Sequence, residues 1–489
     1  MTRTFDLVVI GAGPAGMAAA VEARALGLGV AVIDEQPRAG GQIYRQPGEP
    51  APRALAALGE DYGAGRALID RFRSSGVEHM PGTAVWNVGR EGETCLCEAD
   101  LASADEAPFA KTGTASLRRR QVGVVRDGVA ALVRARELIV AAGARERPVP
   151  VPGWTLPCVM TAGAAQVLLK GSGLVPRRPA VLAGSGPLLY LVAWQHLNAG
   201  APPRALLETV PLRNYVSALP HLPRALGAVG ELVKGLGWMR ALRRAGVRLV
   251  RGVTALAIEG EAHCRAVSFS AKGRRQRIET DLVLLHEGVI PNVEITQALG
   301  CEHVWDEAQL AWRPRLGPWR ETSVHAVAVA GDCGGIEGAA AAVLTGRLAA
   351  LGALFRLGAL SAEERDRRAP SVRLALGRVL RTRALLDRLY RPDTWVRVPA
   401  DDGVIVCRCE EVTAGELRRV ARLGALGLSQ AKAYSRSGMG PCQGRMCGPT
   451  AGALIAAVRG VSEAEVEPYR SRPPLKPVTV GALARLSGP

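Results

Sequence analysis

Near the C-terminal end of the chain, Val406-Cys407-Arg-Cys409 and Gly440-Pro-Cys442-Gln-Gly-Arg-Met-Cys447 give Cys-x-Cys, 32 intervening residues and then Cys-x4-Cys. Four thiolates are what a 2Fe-2S cluster takes, two on each iron. Structural zinc also takes four cysteines, but it favours Cys-x2-Cys pairs, and neither pair here has that spacing. A reducing compartment argues against disulfides. Cys407, Cys409, Cys442 and Cys447 are therefore the expected metal ligands. Thr413-x-x-Glu416 is a capping box that opens a helix just past the first pair, and Pro449-Thr450 opens another just past the second. Two helix N-termini, together with Arg408 and Arg445, are thereby expected to favour the reduced, more negative cluster.

The second chemical pattern lies at the other end. An apolar run, Phe5 to Ile10, ends in Gly11-x-Gly13-x-x-Gly16, and an Ala-rich helical pattern follows. This is the strand, turn and helix start that hold a dinucleotide pyrophosphate. Gly11 permits the turn, Gly13 and the small Ala15 let backbone approach phosphate, and Gly16 lets the helix pack on the strand. The second apolar run, Val30 to Ile33, ends at Asp34-Glu35, 23 residues past Gly11, where a ribose-binding carboxylate belongs. A carboxylate there disfavours a 2′-phosphate, and the position at the chain start favours FAD. Gly40-Gly41-Gln42 lets backbone run close to the same ligand. Further on, Glu137 to Gly143 reads as a buried strand ending in a glycine turn. Val324 to Asp332 reads as a strand ending in Gly331-Asp332 before another Ala-rich helix, a second FAD signature.

Between these signatures the opening theme repeats. Ala180 to Ala183 leads into Gly184-Ser-Gly186, and Ala205 to Leu207 ends at Glu208, 24 residues past Gly184. The third glycine position holds Leu189, whose bulk is expected to shift the helix from the strand. The residues leave open whether this unit binds NAD(H) or is a nucleotide-free copy.

These elements predict an α/β chain of two dinucleotide-binding domains plus a small helical iron-sulfur module. The expected boundaries are a first part of the FAD domain (1–150), an inserted Rossmann-like domain (151–290) and the rest of the FAD domain (291–358). A solvated basic helical linker (359–400), broken at Pro370, leads to the 2Fe-2S module (401–460) and a C-terminal tail (461–489). Arg66 to Ser75 is expected to be helical, Val77 to Cys97 to alternate as strands, and Leu101 to Ala115 to be a loop.

The totals narrow the function. The 489 residues carry a net charge of +17, which on its own admits nucleic acid, an acidic partner or a membrane surface. The positive residues are scattered and only 4% of the chain is aromatic, so platforms for stacking bases are scarce and nucleic-acid binding is not expected. Arg347 interrupts the longest apolar run, so no transmembrane segment is expected. The apolar N-terminus is the fingerprint strand rather than a signal peptide, which gives a cytoplasmic expectation. The six dispersed cysteines, including Cys95 and Cys97, read as core residues. No catalytic acid or base can be named, and His286, His303 and His325 read as structural.

Together these residues resemble the FAD and iron-sulfur subunits of heteromeric amine-oxidising dehydrogenases. That family includes the A subunits of opine oxidases, the alpha subunits of hydroxyproline and proline dehydrogenases, and one chain of hydrogen cyanide synthase. The likeness is carried by Gly11 to Met17, Asp34-Glu35-Gln36, Gly40 to Tyr44, Pro152 to Leu156, Met160 to Gly163, Gly331-Asp332 and the two cysteine segments. The cysteine module is similar to bacterioferritin-associated ferredoxin (BFD-like). Cys158 and Cys333 depart from the pattern, standing where glycine-like residues are expected. The resemblance implies a partner beta subunit with its own flavin, which would hold most of the pocket for a secondary amine or amino acid such as an opine or hydroxyproline. A small third subunit stays open, and so does the alternative of a stand-alone NADH-dependent reductase. A third reading, an iron-sulfur redox sensor, leaves the FAD signatures unexplained.

Overall fold

In the computed structural model, which describes residues 3–45, 56–91 and 119–486, the strand Val129–Val140 organises the first domain. Its C-terminal half pairs in parallel with Arg3–Ile10 on one side and with Val327–Val329 on the other. Its N-terminal half takes Arg120–Arg126 as an antiparallel partner. Val30–Ile33 and Glu78–Met80 extend the parallel edge, and Ala84–Arg90 closes the antiparallel one, making seven strands. Because residues 7–10 of Arg3–Ile10 and all of Val30–Ile33 are continuous apolar runs, they fit a parallel sheet covered on both faces.

One cover is the pair of helices Pro14–Arg24 and Ala339–Arg356. They approach closely because their facing residues are small: a Cβ on Gly346 would stand 2.2 Å from the Ala15 carbonyl oxygen. Contrary to expectation, Ala339–Arg356 is long and apolar enough to cross a membrane by length and composition, Arg347 notwithstanding. Most of it is buried in this fold, and Arg347 reaches aside to pair with Glu22 (3.1 Å).

The inserted domain holds a five-stranded parallel sheet in the order Arg248–Arg251, Ala205–Glu208, Val181–Ser185, Val283–Glu287, Val159–Thr161. A three-stranded antiparallel sheet, Val253–Gly260, Cys264–Ala271 and Arg274–Glu279, accompanies it. Where the chain leaves and re-enters the first domain, Ala144–Glu146 and Val289–Pro291 pair antiparallel. The cysteine module is a short strand pair, Ile405–Cys407 with Val412–Thr413, and the helices Ala414–Arg422, Leu428–Ser435 and Gly448–Arg459 around their own apolar core.

The helix Gly65–Ser74 and the strands through Arg90 stand where their patterns place them. Cys95, Cys97 and the stretch 101–115 lie outside the described residues. Cys158 has φ +69°, which is why a glycine suits its position, whereas Cys333 is buried with its thiol on the Val140 and Ala330 carbonyls (3.4 and 3.3 Å). The linker is neither broken at Pro370 nor freely solvated. Ala362–Val379 runs through Pro370, capped by the Ser361 hydroxyl and seated through Ala369 and Val372. Arg365 and Arg373 stack over the Trp319 ring (4.3 and 4.4 Å). Tertiary packing thus outweighs the missing N–H, which ordinarily costs ~3 kcal/mol. Pro370 is exposed, so Pro370→Ala is expected to stabilise the protein by about 2 kcal/mol, after allowing for the looser unfolded chain. Denaturant unfolding of the two proteins checks this.

Candidate functional site

A cavity of ≈ 840 Å³ opens at the C-terminal ends of Arg3–Ile10, Val30–Ile33 and Val129–Val140. Gly11, Gly13, Ala15, Asp34, Glu35, Gly41, Gln42, Gly143, Gly331 and Asp332 all line it. Gly16 does not: a Cβ there would stand 1.8 Å from the Gly11 carbonyl oxygen, so its place is between helix and strand. Gly13 and Gly41 face each other, and a Cβ on Gly41 would lie 2.9 Å from the Gly13 Cα. Bare backbone therefore borders the channel where a pyrophosphate passes.

Asp34 accepts the Ala12 N–H (2.5 Å) on one oxygen and the Gln36 N–H (2.7 Å) on the other, which ties the fingerprint turn to the second strand. Burial pushes its carboxyl above the usual range, against the pull of those two N–H groups. Asp332 accepts the Glu337 and Gly338 N–H groups (both 2.9 Å) and shapes the turn into Ala339–Arg356. The start of that helix, at Gly338 and Ala339, faces the cavity.

Sequence reasoning missed three contributors to this cavity. The segment after Thr382 brings Arg383, Leu386, Asp387, Tyr390 and Arg391 to it. The C-terminal tail returns to it as well: the Leu475 N–H donates to the Trp86 carbonyl (2.7 Å), and Lys476 pairs with Glu35. Third, His286 is not an ordinary core histidine, since it lines the cavity with its Nδ1 on Glu146 (2.7 Å). Its Nε2 lies beside Gly186 of the second glycine turn, which lines the same cavity. His303 instead bonds Thr296 and the Cys301 carbonyl, as a structural histidine does.

The four cysteines converge as two pairs. The Cys447 thiol hydrogen-bonds Cys407, and Cys409 interacts with Cys442. Two pairs of thiols are the donor set that a cluster with two irons takes. Cys407 is pulled down to about 5 by the Cys447 hydrogen bond and by the Gly438, Glu410 and Cys409 N–H groups, which together make a nest for negative sulfur. Cys447 is the N-cap of Gly448–Arg459, and the capping box at Thr413 and Glu416 is formed. Only glycine fits at 440, where a Cβ would stand 2.2 Å from the Cys409 Cβ. Cys409 and Arg408 are exposed, while Cys407 and Cys447 are buried.

One ion network joins the cavity to the cysteine loop. Arg145, after the Gly143 turn, pairs with Glu294 (2.7 Å) and donates from Nε to the Arg445 carbonyl (3.2 Å). Arg445 stands 3.8 Å from the same Glu294, and it donates to the carbonyls of Cys442 (3.1 Å) and Leu475 (2.8 Å). Both arginines line the cavity.

Residues 5–346 match the pyridine nucleotide-disulphide oxidoreductase family, and residues 405–457 match the BFD-like [2Fe-2S] binding domain. The chain belongs to that oxidoreductase family, with an iron-sulfur domain appended. FAD and a 2Fe-2S cluster are the cofactors that go with these two matches, and the bare-glycine channel and the paired thiols fit them. The chain is 43% identical to the A subunit of opine oxidase from Agrobacterium tumefaciens (strain Ach5), over 99% of this chain and 92% of that one. It is 31% identical to the HcnB subunit of hydrogen cyanide synthase from Pseudomonas protegens, over 98% and 97%. In fold it is similar to L-proline dehydrogenase from P. horikoshii, with a TM-score of 0.71 at 18% identity, covering 99% of this chain and 80% of that one.

The Tyr469 hydroxyl lies 3.7 Å from Cys447 Sγ and 2.9 Å from Ser437 Oγ, with its ring against Gly438 and Gly444. Were Cys447 a cluster ligand, its thiolate could only accept, and Tyr469 would donate to it and favour the reduced state. Tyr469→Phe is expected to keep the cluster but lower its potential by on the order of tens of millivolts. A redox titration followed by EPR reads this directly.

Proposed function

We propose that this chain is the electron-transfer subunit of a heteromeric amine or amino-acid dehydrogenase, passing electrons taken by a flavin-bearing partner toward an external acceptor. The observation that carries the reading is the Arg145–Glu294–Arg445 network, which gives the flavin cavity and the cysteine loop a common boundary. The similarity to opine oxidase and hydrogen cyanide synthase subunits supports a second chain, and the opine relatives support a secondary amine or amino acid as the donor.

In this reading Gly11, Gly13, Ala15, Gly41 and Gln42 hold the FAD pyrophosphate, Asp34 and Glu35 its ribose, Gly143 borders the flavin, and Gly331 and Asp332 take the ribityl side, with Gly16 fixing helix to strand. Cys407, Cys409, Cys442 and Cys447 hold the cluster. FAD accepts two electrons as hydride and a 2Fe-2S cluster passes them singly, so holding both in one chain converts two-electron chemistry to one-electron chemistry. Arg445 adds positive charge beside the cysteine loop, which favours the reduced state. The exposed Cys409 edge is where an acceptor can approach.

The alternative, a self-contained NADH reductase, is opposed by the inserted domain. Glu208, the candidate ribose carboxylate, is buried and already held by Tyr190 (2.7 Å), Tyr215 (3.2 Å) and Arg251 (3.2 Å). Glu287, bonded to Ser185 (2.7 Å) and Thr209 (2.6 Å), places a carboxyl beside the Gly184-Ser-Gly186 turn where a second pyrophosphate would lie. Leu189 is fully buried between helix and sheet. The unit is read as a nucleotide-free copy.

Two outcomes follow. Cys442→Ser in the purified complex removes the cluster's EPR signal and abolishes amine-driven reduction of a one-electron acceptor; turnover that survives loss of the signal refutes the relay. In an anaerobic titration of the isolated chain, NADH leaves the flavin absorbance unchanged, whereas stoichiometric bleaching moves the assignment to the reductase.

A further inference from the structure

We propose that the helical arm 211–244 is the seat of the flavin-carrying partner chain, which it meets through an exposed apolar seam flanked by cations. This rests on the heteromer reading above. Between Ala205–Glu208 and Arg248–Arg251 the fold needs one crossover helix, yet the chain runs through Leu212–Ala218, Leu222–Ala225 and Val229–Arg244. The inner side of the arm buries Ala218 and Ala225 against Leu385. On the outer side Leu212, Val216 and Leu219 are 79%, 62% and 60% exposed. Past Leu222 the series continues with Leu226, Val229, Val233 and Leu236, all more than half exposed. Within each helix the steps are three or four residues, so Leu212, Val216 and Leu219 share one face of the first helix and its end, and Val229, Val233 and Leu236 share one face of the last. Single exposed apolar residues are ordinary, but two such triplets on one arm, with Leu222 and Leu226 exposed between them, mark an interaction site.

The glycines of the arm point the same way. Gly230 and Gly237 stand one turn either side of Val233 in the helix Val229–Arg244, where glycine weakens a helix, and a Cβ on either would meet nothing within 4 Å. A second helix lying close explains what no internal contact does.

Charge and position select the occupant. From 212 to 244 there are six arginines and lysines and one acid, Glu231, and with Arg213 paired to Asp393 and Lys234 to Asp61 the arm is still net positive, so two copies of it would repel and a helix flanked by carboxylates would be attracted. A bilayer-surface helix turns its aromatic residues toward the lipid. Here Tyr215 turns inward to Glu208, and Trp238 packs on Trp194 with ring centroids 6.2 Å apart. The arm is also continuous with the flavin cavity. Arg213 pairs with Asp393, and Asn214 donates to the Leu389 and Arg391 carbonyls (3.1 and 2.8 Å). The segment it grips lines that cavity through Arg383, Leu386 and Asp387. A partner on the seam is thus separated from the flavin site by one layer of helix.

The test is purification of the tagged full-length chain from its own cells without oxygen, as wild type and as the double variant Val216→Asp, Val233→Asp. The wild type is expected to bring down a second flavin-bearing chain in fixed ratio to iron. The double variant is expected to lose that chain by about tenfold or more while keeping its own FAD and cluster absorbance. Retention of the second chain at the wild-type ratio overturns the seam and leaves the heteromer reading standing. A wild type that brings down no flavin-bearing chain overturns the heteromer reading, and the seam with it. A wild-type homodimer, or binding to phosphatidylserine vesicles, that the double variant abolishes assigns the face to a second copy or to a membrane and overturns the proposal. Should the double variant lose its own cofactors, a photo-crosslinking residue at Leu236 decides: a crosslink to the flavin-bearing chain supports the seam, and its absence overturns it.

Discussion

Glu294 lies between two guanidinium groups at the place where the flavin cavity and the cysteine loop meet, and its carboxylate lets both cations stand there. Arg145 belongs to the flavin cavity and Arg445 to the cysteine loop, and without a carboxylate between them the two positive charges would repel. All three side chains are largely withdrawn from water. Burial lowers the pKa of Arg145 while Glu294 raises it, so the pair is held by mutual need rather than by surplus attraction. Removing one partner of such a set costs far more than the intact set contributes, which makes it a device of position.

The same arrangement explains the tail. Arg445 holds the Leu475 carbonyl, Leu475 is tied to Trp86 of the first sheet, and Lys476 reaches Glu35 beside the expected ribose carboxylate. A few residues earlier Tyr469 touches Cys447. One strand of chain therefore contacts both expected cofactor sites, so disorder in the tail would be felt at each. In the inserted domain the corresponding carboxylates are engaged within the chain, Glu208 by two tyrosines and an arginine and Glu287 by Ser185 and Thr209.

What the sequence makes legible is what is local. Gly11 to Gly16, Asp34 and the four cysteines announce themselves because strand, turn and helix start, or ligands around one cluster, require fixed spacings. The Gly331-Asp332 turn is readable for the same reason. Glu146 and His286 stand 140 residues apart, and Lys476 and Glu35 441 apart, so no spacing links them and only the folded chain brings them together. Pro370 misleads because local propensity says break while Ala369 and Val372 have a surface to cover. The Ala339–Arg356 helix misleads in the other sense, its apolar length serving contact with Pro14–Arg24. The exposed seam of the arm is periodic in the sequence too, yet periodicity alone does not say which side of a helix faces inward.

The central claim is that electrons from the amine pass through the cysteine site of this chain on their way to an acceptor. Freeze-quench EPR of the anaerobic complex, mixed with its amine substrate, measures that passage directly. The account predicts a reduced-cluster signal that rises at least as fast as turnover and disappears when a one-electron acceptor is added. Substrate consumed at the full rate while the cluster stays oxidised and EPR-silent would contradict it.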